Sequence, residues 1–295
     1  MEIHLVDATY ELFRAHFSPR PRVSGREGTD LTSVAGLVDT LLALLRDEGA
    51  THVGCATDHV IASFRNALYP GYKTDAGVPP ELLAQFPLAE EAIAALGIVL
   101  WPMTDLEADD ALATAAARWG ARRDVRRIVI CTPDKDLAQC VRDDRVVLRD
   151  RRRGLTYDAA GVQAKWGVPP ASVPDRLALV GDAADGFPGL PGWGARSAEA
   201  VLARYGHLEA IPRDAAAWEV AVRGAAGLAA TLVERWDDAI LFRTLATLRT
   251  DATLREREPA DLAWRGTPER RWRDFCATTG LARLAARPHR WREDA

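Results

Sequence analysis

Apolar positions in the first half of the chain fall into two alternating patterns. The short runs "IHLVD" from Ile3, "HVGCATD" from His52, "RIVICTPD" from Arg127 and "RVVLRD" from Arg145 have the length and branching of buried strands. Between them, "LTSVAGLVDTLLALLRDEG", "EEAIAALG" and "DDALATAAARWG" carry the longer spacing of helices. Strand–helix alternation predicts crossover units, hence an α/β fold with a mostly parallel sheet covered by helices on both sides. The stretch from Asp58 to Glu107 holds Pro70, Pro79, Pro80 and Pro87 and no strong strand pattern, so about residues 60–100 read as a mobile or partly helical excursion. From about Ala171 the pattern turns helical, interrupted by "GDAADGFPGLPGWG". The expected organisation is a core over residues 1–170 and a helical region over 171–295, packed without a flexible tether.

Acids end several of the apolar runs. Asp7, Asp58, Asp134 and Asp136 all stand just beyond a strand, where ligands of parallel sheets gather. Any one of them could simply cap the following helix. "DLEADDALATAA" adds Glu107, Asp109 and Asp110 at a helix start, where acids also complement the helix dipole. Asp182 and Asp185 follow in "GDAAD". Capping accounts for one or two of these residues and less well for the repetition. Nine carboxylates drawn together would repel and lose solvation unless a cation compensates them. Magnesium or manganese suits oxygen-only ligands, and two such ions roughly 4 Å apart can activate water and stabilise the leaving oxygen of a phosphodiester.

Charge then takes on a different meaning. The net charge is −4, but setting those nine acids aside leaves the remainder of the chain at +5. Arginines gather in "RRDVRR", "RDRRRG", "ERRWR" and "RPHRWR". Each cluster alone is weak evidence for a phosphate partner. The glycine- and proline-rich turn leading into "ARSAEAVLARYG" can aim backbone N–H groups at a phosphate without reading base sequence. A composition that is 48% hydrophobic over 295 residues can bury a sizeable core. The opening "MEIHLVDATYELFRAHF" shows neither a secretory leader nor a membrane span, so a cytoplasmic location is expected, with no membrane partner and no organic cofactor. Cys55, Cys131, Cys140 and Cys276 lack CxxC or Cys/His spacing and read as reduced thiols.

In order along the chain, "LVDATYELFRA", "ATD" with "SFR" and "YK", "LEADD", "TPDKDLAQCV" and "LVGDAADGFPGLPGWGARSAEAVL" resemble the motifs of the 5′-nuclease superfamily, the flap endonucleases and the 5′-exonuclease domain of bacterial DNA polymerase I. The resemblance spans roughly Met1 to Tyr205. It implies a PIN-like core and a helix-three-turn-helix element at about 177–205. It also implies one ion held by Asp7, Asp58, Glu107 and Asp109 and a second by Asp134, Asp136, Asp182 and Asp185, with Asp110 acting through water. Lys73 would contact the scissile phosphate. Arg14, Arg65 and Tyr72 would position the DNA end. The turn through Gly189, Gly192 and Gly194 to Arg196 and Ser197 would hold the duplex backbone, with a potassium ion as in relatives. The implied activity is structure-specific 5′-3′ exonuclease and flap cleavage of DNA ends, nicks and flaps, in replication and repair.

Four positions depart from the family pattern. Ala76, beside Asp75, stands where a second basic residue is usual, Pro133 replaces a glycine, Gly186 an asparagine and Arg196 a lysine. Loss of the cation at position 76 would weaken stabilisation of the transition state. Two rival readings follow: a structure-specific DNA-binding protein that has lost turnover, and an RNA-directed nuclease of the same fold.

Overall fold

The computed structural model describes residues 1–293. Along the chain lie β1 (Glu2–Asp7), α1 (Ala8–Phe17), α2 (Thr32–Arg46), β2 (His52–Asp58), α3 (Phe64–Leu68), α4 (Pro80–Leu83), α5 (Phe86–Ala95), β3 (Val99–Met103), α6 (Ala108–Trp119) and β4 (Arg127–Cys131). There follow β5 (Val146–Asp150), β6 (Leu155–Tyr157), α7 (Ala159–Trp166), α8 (Val173–Val180), α9 (Ala195–Tyr205), α10 (Ala225–Glu234), α11 (Trp236–Ala246) and α12 (Glu269–Thr279). Contacts gather these elements into two compact units, one formed by Met1–Ile61, Asp75–Thr132 and the chain from Thr250, the other by Ala62–Thr74 and Pro133–Arg249. The units therefore interleave in sequence.

The first unit is built on four parallel strands in the order β3-β2-β1-β4. β1 lies between two neighbours, and Ile3, Leu5 and Val6 are wholly buried, as expected of a strand covered on both faces. Helices α1, α5 and α6 pack on the strands and α1 packs on α2. β3 does not stand out in the apolar pattern, because Pro102 breaks it and Val99 and Leu100 are only half-buried. It stands at the end of the strand order, and proline is tolerated on an edge strand because its missing N–H faces away from the ladder. The proline-rich excursion is helical between Pro80 and Ala95 and belongs to the core: Leu82 is fully buried, and Gln85 Oε1 accepts from the N–H groups of Ser33 (3.0 Å) and Val34 (3.2 Å) at the start of α2. A buried side chain thus satisfies donors that every helix leaves unpaired at its N-terminus.

In the second unit β5 and β6 pair antiparallel, α8 packs on α11, and Phe187 stacks on Phe242 with ring centroids 5.6 Å apart. α8, the turns of residues 181–194 and α9 form the expected helix–turns–helix element. Cys55, Cys131 and Cys276 are buried thiols, and Cys140 is half-buried. Among the described residues no helix is long and apolar enough to cross a membrane.

Candidate metal centre

Five of the acids singled out in the sequence belong to the first unit, at the carboxyl ends of its strands and the start of α6. Asp7 closes β1 and is nearly buried. Its Oδ1 accepts from Tyr10 N (2.8 Å), capping α1, and its Oδ2 accepts from Thr132 Oγ1 (3.0 Å) just past β4. Asp58 closes β2; its N–H donates to Thr9 Oγ1 (2.8 Å) and its Oδ1 accepts from Ala108 N (2.7 Å). Glu107 is buried before α6, and its N–H donates to Oδ2 of the fully buried Asp110 (3.0 Å). Asp109, in the first turn, is half-buried. Asp7 and Asp58 therefore cap helices, as elementary chemistry allows, within one hydrogen-bonded rim that joins the ends of β1, β2 and β4 to the start of α6.

Four more acids belong to the second unit. After β4 the chain turns through Asp134, whose Oδ1 accepts from Asp136 N (2.9 Å), and Gln139 Nε2 fixes the next turn by donating to Asp136 O (2.8 Å) and Ala246 O (3.0 Å). Beyond α8, Asp182 folds its own loop: its N–H donates to Phe187 O (2.8 Å) and its Oδ1 accepts from Ala184 N (3.0 Å). Asp136, Asp182 and Asp185 are buried and each places a carboxylate oxygen within 4.8 Å of the others. Burial holds the Asp136 carboxyl well above the usual carboxylate range, with Asp134, Asp185 and Asp182 adding repulsion and Lys135 opposing it. Lys135 Nζ pairs with Asp182 and lies 3.4 Å from Asp136 Oδ1. Even so, Asp136 Oδ1 and Asp182 Oδ2 receive no well-directed hydrogen bond. Buried anionic oxygens in this state are costly, and an oxygen-only donor set of this kind fits a hard divalent cation. Lys135 has no role in the sequence reading; its only signal was its place between Asp134 and Asp136.

Lys73 is held beside this cluster, its Nζ 3.0 Å from Asp185 Oδ1 and its N–H donating to Asp185 O (3.0 Å). Gly186 makes that approach possible: its φ is +85°, and a Cβ there would lie 2.1 Å from Gly71 O. Gly186 in place of an asparagine is thus matched by the close passage of Gly71 in "YPGYK". Pro133 replaces glycine at a position that does not need positive φ.

Two of the residues expected to position a DNA end are placed otherwise. Arg65 is 1% exposed; its guanidinium donates to Leu245 O (2.8 Å) and Thr247 O (3.2 Å), so it closes the C-terminus of α11 instead of offering a surface cation. Tyr72, 3% exposed, is a core ring whose face lies 5.7 Å from Lys73 Nζ. Arg14 is held by Glu11 and by Thr40 Oγ1 (2.8 Å). The turn residues divide: Gly189 has positive φ and is buried, a Cβ there meeting Gly181 N at 2.3 Å, whereas Gly192, also at positive φ, and Arg196 are exposed, and Ser197 Oγ bonds both the N–H (3.0 Å) and the C=O (2.9 Å) of Gly194. The N–H groups of Ala195–Ser197 precede the first intrahelical bond of α9, from Ala198 N to Gly194 O (3.0 Å). Such a start attracts anions.

Comparison with known proteins points the same way. Residues 2–167 match the family model for the 5′-3′ exonuclease N-terminal resolvase-like domain, and residues 168–269 match the model for the 5′-3′ exonuclease C-terminal SAM fold. DNA polymerase I of Mycobacterium leprae (strain TN) is 33% identical over 261 residues, 85% of this chain and 28% of that protein. DNA polymerase I of Pseudomonas aeruginosa is 35% identical over 259 residues, 85% of this chain and 27% of the other. The chain thus spans little more than a quarter of these relatives. Among solved structures, the bacteriophage T5 flap endonuclease, in a pseudo-enzyme-product complex with DNA and metal ions, aligns with a TM-score of 0.66 at 18% identity, over 85% of this chain and 90% of that one. The catalytic core of Rad2 in complex with DNA substrate aligns with a TM-score of 0.62 at 16% identity, over 94% of this chain and 87% of that one.

Proposed function

This chain belongs to the 5′-3′ exonuclease family, and from that premise we propose that it hydrolyses DNA phosphodiesters at 5′ ends, nicks and flaps with divalent metal ions. The observation that carries the reading is the buried trio Asp136, Asp182 and Asp185, with two carboxylate oxygens left without directed hydrogen bonds. Magnesium or manganese ions supply activation of water and charge stabilisation at the phosphate when bound. Asp7, Asp58, Glu107 and Asp109 are assigned to one ion, Asp134, Asp136, Asp182 and Asp185 to the second, and Asp110 to a bound water. Lys73, kept extended by Asp185, offers its ammonium to the scissile phosphate. Lys135 compensates the carboxylates in the absence of ions.

In this reading residues 1–170 form the catalytic core, and the element at about 177–205, within residues 171–295, grips duplex backbone through Gly189, Gly192, Gly194, Arg196 and Ser197. A potassium ion at that turn belongs to the same reading. Recognition by backbone contacts follows DNA shape and weakens with salt. The test compares labelled 5′-flap, nicked, blunt and single-stranded DNA with RNA counterparts, in magnesium or manganese, for the native chain and Asp182→Asn. Ion-dependent cleavage of flap DNA that Asp182→Asn abolishes is expected. Tight binding without cleavage would replace the proposal with a binding protein, and faster turnover of RNA would overturn the DNA assignment.

A further inference from the structure

The arginine-rich segments near the end of the chain are not absorbed by this function. Part of "ERRWR" and all of "RPHRWR" lie beyond residue 269, where the family match ends. Arg271 and Arg292 from these segments line the outer edge of β3, together with Arg255 and Arg265. Two adjoining hollows of about 580 and 450 Å³ run there and share Gly97, Val99, Arg255 and Arg292. All four arginines are exposed. Two acids line the same hollows and are outnumbered by the four arginines: Glu256, whose Oε2 accepts from Trp101 Nε1 (2.7 Å), and Asp261, whose Oδ2 accepts from the N–H groups of Arg257 (3.0 Å) and Glu258 (2.9 Å). The groove therefore presents positive charge along an open sheet edge.

The backbone of that edge has a definite polarity. Met103 O accepts from His59 N (2.9 Å) on the β2 side. Alternate residues of a parallel strand address the same neighbour, so Val99, Trp101 and Met103 turn to β2 while Leu100 N–H and C=O and Pro102 C=O turn outward. Those groups can extend the sheet by a further short strand.

We propose that this groove is a docking site for an extended acidic peptide, laid along β3 with its carboxylates on Arg255, Arg265, Arg271 and Arg292. A peptide is favoured over a nucleic acid because the edge offers main-chain partners at peptide spacing. The one aromatic residue lining the hollows, Trp101, is buried and cannot stack on a base.

The test uses the full chain and fluorescence anisotropy of a short labelled peptide alternating Asp and Val. Controls are a Lys-for-Asp peptide, the same acidic peptide N-methylated at alternate residues, and a single-stranded oligonucleotide. Binding of the acidic peptide alone is expected, about tenfold weaker to Arg271→Glu/Arg292→Glu than to the native chain and about tenfold weaker for the N-methylated peptide, with flap cleavage by the double variant unchanged. Equal affinity for both proteins, or no binding, overturns the proposal and leaves the arginines as guards against edge pairing. Competition by the oligonucleotide with no effect of N-methylation would make the groove a nucleic-acid path instead.

Discussion

Lys135→Met is the sharpest perturbation of the centre, because it keeps the aliphatic stem and removes only the charge. Lys135 Nζ lies 3.4 Å from Asp136 Oδ1 and pairs with Asp182. At that separation and an effective permittivity of about 20, one charge pair is worth roughly 5 kcal/mol before opposing costs. Desolvation of the ammonium works against it, and the Lys135 side chain is still 32% exposed and therefore screened. The net expected loss is about 2 kcal/mol. In EDTA the variant should unfold at lower denaturant concentration by that amount. Excess magnesium should remove most of the deficit, because an ion then supplies the missing positive charge. The same free energy requires magnesium to bind the folded variant about thirtyfold more tightly by calorimetry. A variant as stable as the parent in EDTA, or a deficit that magnesium leaves untouched, would refute the role given to Lys135.

Arg65→Met should cost about 2–4 kcal/mol in denaturant unfolding, because it strands Leu245 and Thr247 carbonyls and a buried cavity; Arg65→Lys should not restore it, since an ammonium lacks the fork. Weakened DNA binding at unchanged stability would return Arg65 to the DNA contacts. Gly186→Asn should destabilise by about 1–3 kcal/mol despite asparagine's tolerance of positive φ, because the Cβ meets Gly71 O; a neutral result by thermal unfolding would contradict the close passage. Lys73→Ala should slow single-turnover cleavage of a flap by about 100-fold while changing DNA affinity much less; the reverse split would remove Lys73 from the reacting phosphate.

The acids were legible because each ends or opens an element whose apolar pattern is clear, as with "IHLV" before Asp7 and "DDALATAAARWG" after Glu107. Resemblance added Lys73 and the turn glycines. β3 was not legible, since an edge strand with Pro102 and half-buried side chains has neither alternation nor a continuous apolar run. Arg65 and Tyr72 misled for a different reason. "SFRNALYPGYK" falls in the stretch read as a mobile or partly helical excursion, and nothing near it in sequence shows that Arg65 meets the carbonyl of Leu245, 180 positions away. The same distance hides the interleaving of the two compact units: the short piece Ala62–Thr74 joins residues 133–249 through such bonds.

Asp7 and Asp58 each commit an oxygen to the first amides of a helix. A descendant that had abandoned hydrolysis would still be selected to keep them, simply to fold. The Asp136 carboxylate carries no such architectural duty, so drift at that position, and not at the strand ends, is where a silenced relative would betray itself.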